Sequence, residues 1–198
     1  MAMENFFRIR AEKQAHIVNA AFMVFGRQGY RKASLSDIAQ EAGITKGMIT
    51  YYFGSKKTLY LYLLSVSRGL LIQATSQMLS PEITDIFEKL KIITEIQISA
   101  MKEHPGLVSF VNSLYSEKDP EVTGEIENSI TLEYGRLDDL ILSGVDSGNQ
   151  LLYKFIFWAS NGFMMELYET DFSKTLVDDL ADKFYKCLDL MREAFYRR

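Results

Sequence analysis

The side chains able to make or break bonds do not converge in this chain of 198 residues. His16 and His104 lie far apart, and neither has a Cys or an acid at metal-ligand spacing. Cys187 is the single cysteine, which excludes an intramolecular disulfide and fits a reducing, cytoplasmic compartment. The Ser, Cys and His residues form no nucleophile elbow, and the glycines form no phosphate-cradling loop. Asp138-Asp139 and Asp178-Asp179 read as solvated helix faces. Catalysis, a metal and a cofactor are therefore not expected. What the residues can do is hold a polyanion. Residues 1–60 carry nine bases (Arg8, Arg10, Lys13, Arg27, Arg31, Lys32, Lys46, Lys56, Lys57) against four acids (Glu4, Glu12, Asp37, Glu41), a net +5. The remaining 13 bases and 22 acids leave residues 61–198 at −9, so a basic head precedes an acidic body.

Helices must position that head. From Lys13 onward Ile17, Ala20, Ala21, Val24 and Phe25 recur at steps of three and four, an amphipathic stripe that stops at Gly29. Ser34 can cap a second helix and Asp37, three residues on, can reach back to the cap. That helix turns Leu35, Ile38, Ala39 and Ala42 inward and ends at Gly43; Thr45 can cap a third, Lys46 to Tyr52. A close helix crossing needs a small residue, and Ala39 stands four before the turn glycine, with Ile38, Ala42, Ile44 and Ile49 apolar around it. This pattern is a helix-turn-helix, whose second helix enters a DNA major groove.

Three runs carry a likeness to a known family: Ile17 to Tyr30 (IVNAAFMVFGRQGY), Asp37 to Gly47 (DIAQEAGITKG) and Tyr52 to Leu59 (YFGSKKTL). Together they resemble the amino-terminal domain of the tetracycline repressor (TetR) family of bacterial transcription regulators, over about residues 10–60. The resemblance implies that the third helix reads operator bases, placing Thr45, Lys46, Gly47, Met48, Thr50 and Tyr51 at base edges. It places Ser34, Ser36, Tyr52 and Lys56 at phosphates. The chemistry agrees: Lys46 can donate to guanine O6 or N7, and Ser34 offers a hydroxyl beside capped amides. Where the family usually has Tyr after the apolar pair, this chain has Thr50 and then Tyr51, and Lys57 stands where an acid is common.

Composition frames the rest. With 47% apolar and 24% charged residues and only 3 Pro and 12 Gly, the chain reads as all-α, about nine helices. The expected division is a helix-turn-helix domain at 1–55 and a helical ligand-binding and dimerisation domain at 56–198. One helix is expected from Lys56 to about Leu79, a lever of ~36 Å. Pro81, Pro105 and Pro120 are expected to open helices to about Glu103, Ser116 and Leu142. Two further helices, Leu151 to Tyr168 and Lys174 to Tyr196, are expected to close the chain. The greasiest stretch, Leu151 to Met165, contains Lys154 and Asn161 and cannot span a membrane, and the first ten residues have no signal-peptide core.

An effector pocket is expected among Phe87, Met101, Phe110, Tyr115, Tyr134, Trp158, Phe163 and Met164, since aromatics and Met give broad, adaptable apolar walls. A dimer interface is expected on Phe155, Trp158, Leu176, Leu180, Phe184, Leu188 and Met191. The function so read is a homodimeric repressor on a palindromic DNA operator, released by a small apolar or aromatic effector. The alternative is a DNA-binding adaptor whose body docks a protein partner and takes no small molecule.

Overall fold

Local capping and long-range packing together set the helices of this chain. The computed structural model describes residues 2–70, 74–80, 82–129, 151–153, 155–156, 158–159, 162–163 and 174–196. Every element among them is helical: α1 Ala2–Phe7, α2 Ala11–Lys32, α3 Leu35–Glu41, α4 Lys46–Phe53, α5 Lys56–Arg68, α6 Ala74–Met78, α7 Ile86–Glu103 and α8 Leu107–Ser116. Residues 123–129 are also helical, as is each described position from 151 to 163. A final helix spans Lys174–Tyr196.

Several boundaries differ from the expected ones for physical reasons. The α2 stripe does break at Gly29, which sits at φ 70°, ψ 170°, but one more turn follows to Lys32. The expected helix from Lys56 to Leu79 is described as α5 and α6, with residues 71–73 between them outside the described set. The helix expected from Pro81 begins at Ile86 instead. The Asp85 carboxylate accepts from the Phe87 and Glu88 amides at 2.8 and 3.2 Å, and such a cap fixes a helix start more firmly than a proline five residues earlier. Likewise the helix expected from Pro120 starts at 123, behind the Asp119 carbonyl. Its continuation to Leu142 and the turn at Asp146 to Asn149 lie outside the described residues.

The chain divides into two compact units, Met1–Leu70 with Glu103–Leu132, and Leu71–Lys102 with Glu133–Arg198. In the first, α8 packs along α2 so closely that only glycine fits at two points. A Cβ at Gly26 would stand 2.6 Å from Ser109 Oγ and 2.7 Å from the Phe110 nitrogen; one at Gly106 would meet the Met23 nitrogen at 2.6 Å. Around this seam Phe22 lies 5.1 Å from Phe110, and Tyr60 lies 5.0 Å from Phe25, 4.9 Å from Tyr30 and 5.3 Å from Phe110, ring to ring. Where Gly29 breaks the helical ladder, the Tyr30 N–H donates instead to Glu117 Oε2 at 2.7 Å. Burial, first of all, pushes the Tyr30 and Tyr60 phenols well above their ordinary range and keeps them protonated.

His104 joins the same unit through a 2.7 Å hydrogen bond between its Nδ1 and Asn19 Oδ1, with Phe22 edge-on to its ring. Burial lowers its pKa from the ordinary 6.5, partly offset by Glu103. A depressed histidine stabilises the fold above pH 6.5 and loses that contribution as pH falls through the folded value. We therefore expect the midpoint of urea unfolding to drop between pH 7 and 5, and His104→Gln to flatten that slope. An unchanged slope in the variant would rule out His104 as the source.

The second unit builds its core from Leu79, Phe87, Leu90, Ile93, Tyr153, Ile156, Phe184 and Leu188, with Phe163 stacked 4.2 Å from Phe184. Ion pairs at its rim, Lys91–Asp189 at 2.6 Å and Arg192–Asp85 at 2.8 Å, are solvent-exposed and add about 0–1 kcal/mol each.

Candidate nucleic-acid interface

The helix-turn-helix forms from the local signals in its sequence. Ser34 and Asp37 make a reciprocal capping box: Ser34 Oγ accepts from the Asp37 amide at 3.2 Å, and Asp37 Oδ2 accepts from the Ser34 amide at 3.1 Å. The Ser34 hydroxyl also donates to that carboxylate at 2.7 Å. At the other end of α3 the Ile44 amide donates to the Ala39 carbonyl at 2.9 Å, a return that requires Gly43 at φ 59°. Thr45 then caps α4 by accepting from the Met48 amide at 3.3 Å. Ile38, Ala39, Ala42 and Ile49 are buried between the two helices, as the small-residue crossing demanded.

Helical phase sorts the expected contact residues into two sets. Thr45, Lys46, Gly47, Thr50 and Tyr51 are exposed along one face of α4, Met48 is half-buried, and Ser36 is exposed on α3. Tyr51 is 60% exposed and Tyr52 only 5%, because Tyr52 turns inward onto Phe6, 6.0 Å ring to ring. Tyr51 is thus the phenol that stands toward a duplex, and the phosphate role expected of Tyr52 has little surface to act through. The Thr50 hydroxyl donates back to the Lys46 carbonyl at 3.1 Å, leaving its methyl and one lone pair outward.

Lys56 has a different partner from the phosphate expected of it. Its ammonium donates to the carbonyls of Tyr30 at 2.9 Å, Ala33 at 3.2 Å and Arg31 at 3.5 Å, and lies 4.3 Å above the Tyr30 ring. These carbonyls belong to the end of α2, where a helix leaves acceptors unsatisfied and carries partial negative charge. All three N–H donors of the ammonium are engaged. Lys56→Met should therefore cost about 1–2 kcal/mol in urea unfolding while leaving the salt dependence of DNA binding unchanged. A salt slope lower by ~1 with normal stability would restore the phosphate role.

A feature missed in the sequence completes the surface. α1 packs on α4 and α5 through Phe6, which is fully buried at 4.7 Å from Phe53 and 5.5 Å from Tyr62. Six residues show no usable periodicity, so the one available signal was the Phe6-Phe7 pair.

The pocket candidates do not assemble. Phe110 and Tyr115 fall in the first unit, the former buried and the latter exposed; Phe87, Met101, Trp158 and Phe163 fall in the second. Tyr134 and Met164 lie outside the described residues. In the second unit an apolar groove of about 330 Å³ is lined by Ile156, Ala159, Phe163, Leu180, Lys183, Phe184, Cys187, Leu188 and Met191. Of the interface candidates, Phe155 and Trp158 are 58% and 65% exposed, whereas Leu180, Phe184 and Leu188 are buried in the unit's own packing. The Leu176 side chain is outside the described residues. Leu190, not among the candidates, is exposed on the final helix.

Residues 17–63 match the family described as bacterial regulatory proteins, tetR family. The fatty acid metabolism regulator protein of Bacillus subtilis strain 168 is 24% identical over 136 residues, covering 69% of this chain and 70% of that protein. The HTH-type transcriptional regulator AcrR of Shigella flexneri is 39% identical over 49 residues, 25% of this chain and 23% of its own. Among solved structures, a TetR-like transcriptional regulator from Rhodococcus sp. RHA1 superposes with a TM-score of 0.64 at 20% identity, over 96% of this chain and 99% of that one. FadR from Bacillus subtilis, solved in complex with stearoyl-CoA, superposes with a TM-score of 0.62 at 22% identity, over 87% and 96%. Superpositions at these identities show a shared fold, an all-helical chain with a helix-turn-helix head.

Proposed function

We propose that this chain, a DNA-binding transcriptional regulator of the tetR family and not an enzyme, acts in the cytoplasm as a homodimer that represses from a palindromic operator. The observation that carries this reading is the exposed face of α4, Thr45, Lys46, Gly47, Thr50 and Tyr51, set on a buried crossing of Ile38, Ala39 and Ile49. Such a face presents an ammonium, hydroxyls and a close-approach glycine to base edges, which is a reading surface and has no means to catalyse. One eight-residue helix reads too few base pairs for a specific site, and two heads ~34–36 Å apart read a palindrome. The exposed Phe155 and Trp158 beside the 330 Å³ groove favour the same two-fold pairing through the helices of 151–163 and Lys174–Tyr196. In this division of labour residues 1–55 bind DNA and residues 56–198 dimerise and take the effector.

For the effector we propose a fatty acyl thioester. The support is the likeness to a fatty acid metabolism regulator over 69% of the chain and to a structure solved with stearoyl-CoA, together with a body rich in Phe, Tyr, Met and Ile. Binding to the native protein alone stabilises it by RT ln(1 + [L]/Kd), about 2.7 kcal/mol at a hundredfold excess over Kd. The test is thermal unfolding with stearoyl-CoA, free CoA and stearate, followed by operator binding at fixed salt on a duplex selected from random DNA. Stabilisation by stearoyl-CoA with release of the duplex supports the reading. Selection of a duplex without stabilisation by any of the three favours the adaptor; no selected duplex at all overturns the regulator.

A further inference from the structure

We propose that Arg8 and Arg10, in the turn between α1 and α2, form a second DNA contact that grips backbone phosphates beside the bases read by α4; this rests on the DNA-binding reading above. Three observations carry it.

The first is placement. α1 is anchored on the reading helix itself, through Phe6 against Phe53 and Tyr52. Packed helices lie about 8–10 Å apart axis to axis, and the major groove is about 12 Å wide. With α4 in the groove, a helix on its flank stands over the groove wall, where the phosphates run.

The second is rigidity. Gln14 Nε2 donates to the Ile9 carbonyl at 2.8 Å and to the Phe7 carbonyl at 3.4 Å, and the Lys13 and Gln14 amides donate to the Arg10 carbonyl, each at 3.0 Å. The turn is held at both ends, so the two guanidinium groups start from fixed Cα positions. Both residues are exposed, and neither is paired with a carboxylate among the described residues.

The third is a broken stability rule. Arg10 is the N-cap of the 22-residue α2, where it makes no side-chain capping bond. Ser, Thr, Asp or Asn would satisfy an amide there, and a cation faces the positive end of the helix dipole. A residue that costs stability at an exposed position marks function. Phosphates are the occupant that guanidinium groups suit best, with bidentate geometry and permanent charge.

The experiment uses the full chain on the duplex that selection from random DNA returns, and on the same duplex lengthened by five G·C pairs at each end, from 50 to 200 mM salt. Each lost phosphate contact lowers the log–log salt slope by about 0.9 per head, about 3.5-fold in affinity across that range. Arg8→Ala and Arg10→Ala are expected to show this loss and to forfeit any gain from the longer duplex. Arg10→Ser supplies a capping hydroxyl, so it is expected to raise the Tm while weakening DNA binding. A purely structural Arg10 would move both the same way. Wild-type slope and affinity in all three variants overturn the proposal; if Lys46→Ala still loses base preference, the DNA-binding reading stands without it. Should Lys46→Ala be equally silent, the failure lies in that reading.

Discussion

Gly47→Glu is expected to fold as well as the parent and to lose DNA binding by at least about 100-fold, since like charges brought together across an interface cost several kcal/mol. Gly47 is the second residue of α4 and is exposed, and a Cβ there would meet only Thr45 Oγ1, at 3.8 Å. Its backbone is ordinary helix, so a larger side chain adds no strain. Replacing Gly in a helix recovers up to about 1 kcal/mol of propensity, and an acid in the first turn adds about 0.3–1 kcal/mol against the dipole. The same carboxylate points from the face that must enter the groove, among phosphates and base acceptors such as guanine O6 and N7. Gly47→Ala separates the two effects, being as stable and losing far less affinity. Circular dichroism with urea unfolding measures the first half and fluorescence anisotropy on the selected duplex the second. Wild-type affinity in Gly47→Glu would mean that this face of α4 does not enter the groove.

The largest stability effect is expected at Gly26. Its missing Cβ would stand 2.6–2.7 Å from Ser109 Oγ, the Ser109 carbonyl carbon and the Phe110 nitrogen. Two of these are backbone atoms of a helix, which no rotamer change can move. α2 and α8 must separate by about an ångström, and the contacts Phe22–Phe110 and Tyr30 N–H to Glu117 are stretched with them. Overpacking a core by a methyl costs about 1–3 kcal/mol, and Gly26→Val, with three added carbons against backbone, is expected to exceed 4 kcal/mol. Gly106, whose Cβ would meet the Met23 nitrogen at 2.6 Å, serves the same seam. Gly26→Ala and Gly106→Ala should consequently be less than additive, because helices parted by the first have room for the second. Gly162→Ala is the control: nothing lies within 4 Å of its Cβ, and it is expected to stabilise by about 0.5–1 kcal/mol. A Gly26→Val protein within about 1 kcal/mol of the parent would refute a close-packed seam.

The amino-acid sequence by itself determined the helix-turn-helix. Its defining bonds close over five residues or fewer, Ser34 with Asp37, Thr45 with Met48, Ala39 with Ile44, so residue types at short spacing suffice to specify them. The inward set of α4 was legible in the same way for Ile49, since a 3.6-residue period needs no partner to be named. Only the tertiary structure decided the rest. α1 exists because Phe6 is buried on Phe53 and Tyr62, residues far along the chain; six residues in water lack the length to sustain a helix. That burial also draws Tyr52 inward and leaves Tyr51 outside, a choice that two adjacent tyrosines do not announce. Lys56 looked like a phosphate ligand because a free ammonium near a helix start suits one. Its acceptors are carbonyls 23, 25 and 26 residues earlier, made available by the end of α2. Gly26 and Gly106 read as unremarkable helix and loop glycines until α8 is laid on α2, since close approach is a property of two backbones and appears in the spacing of neither.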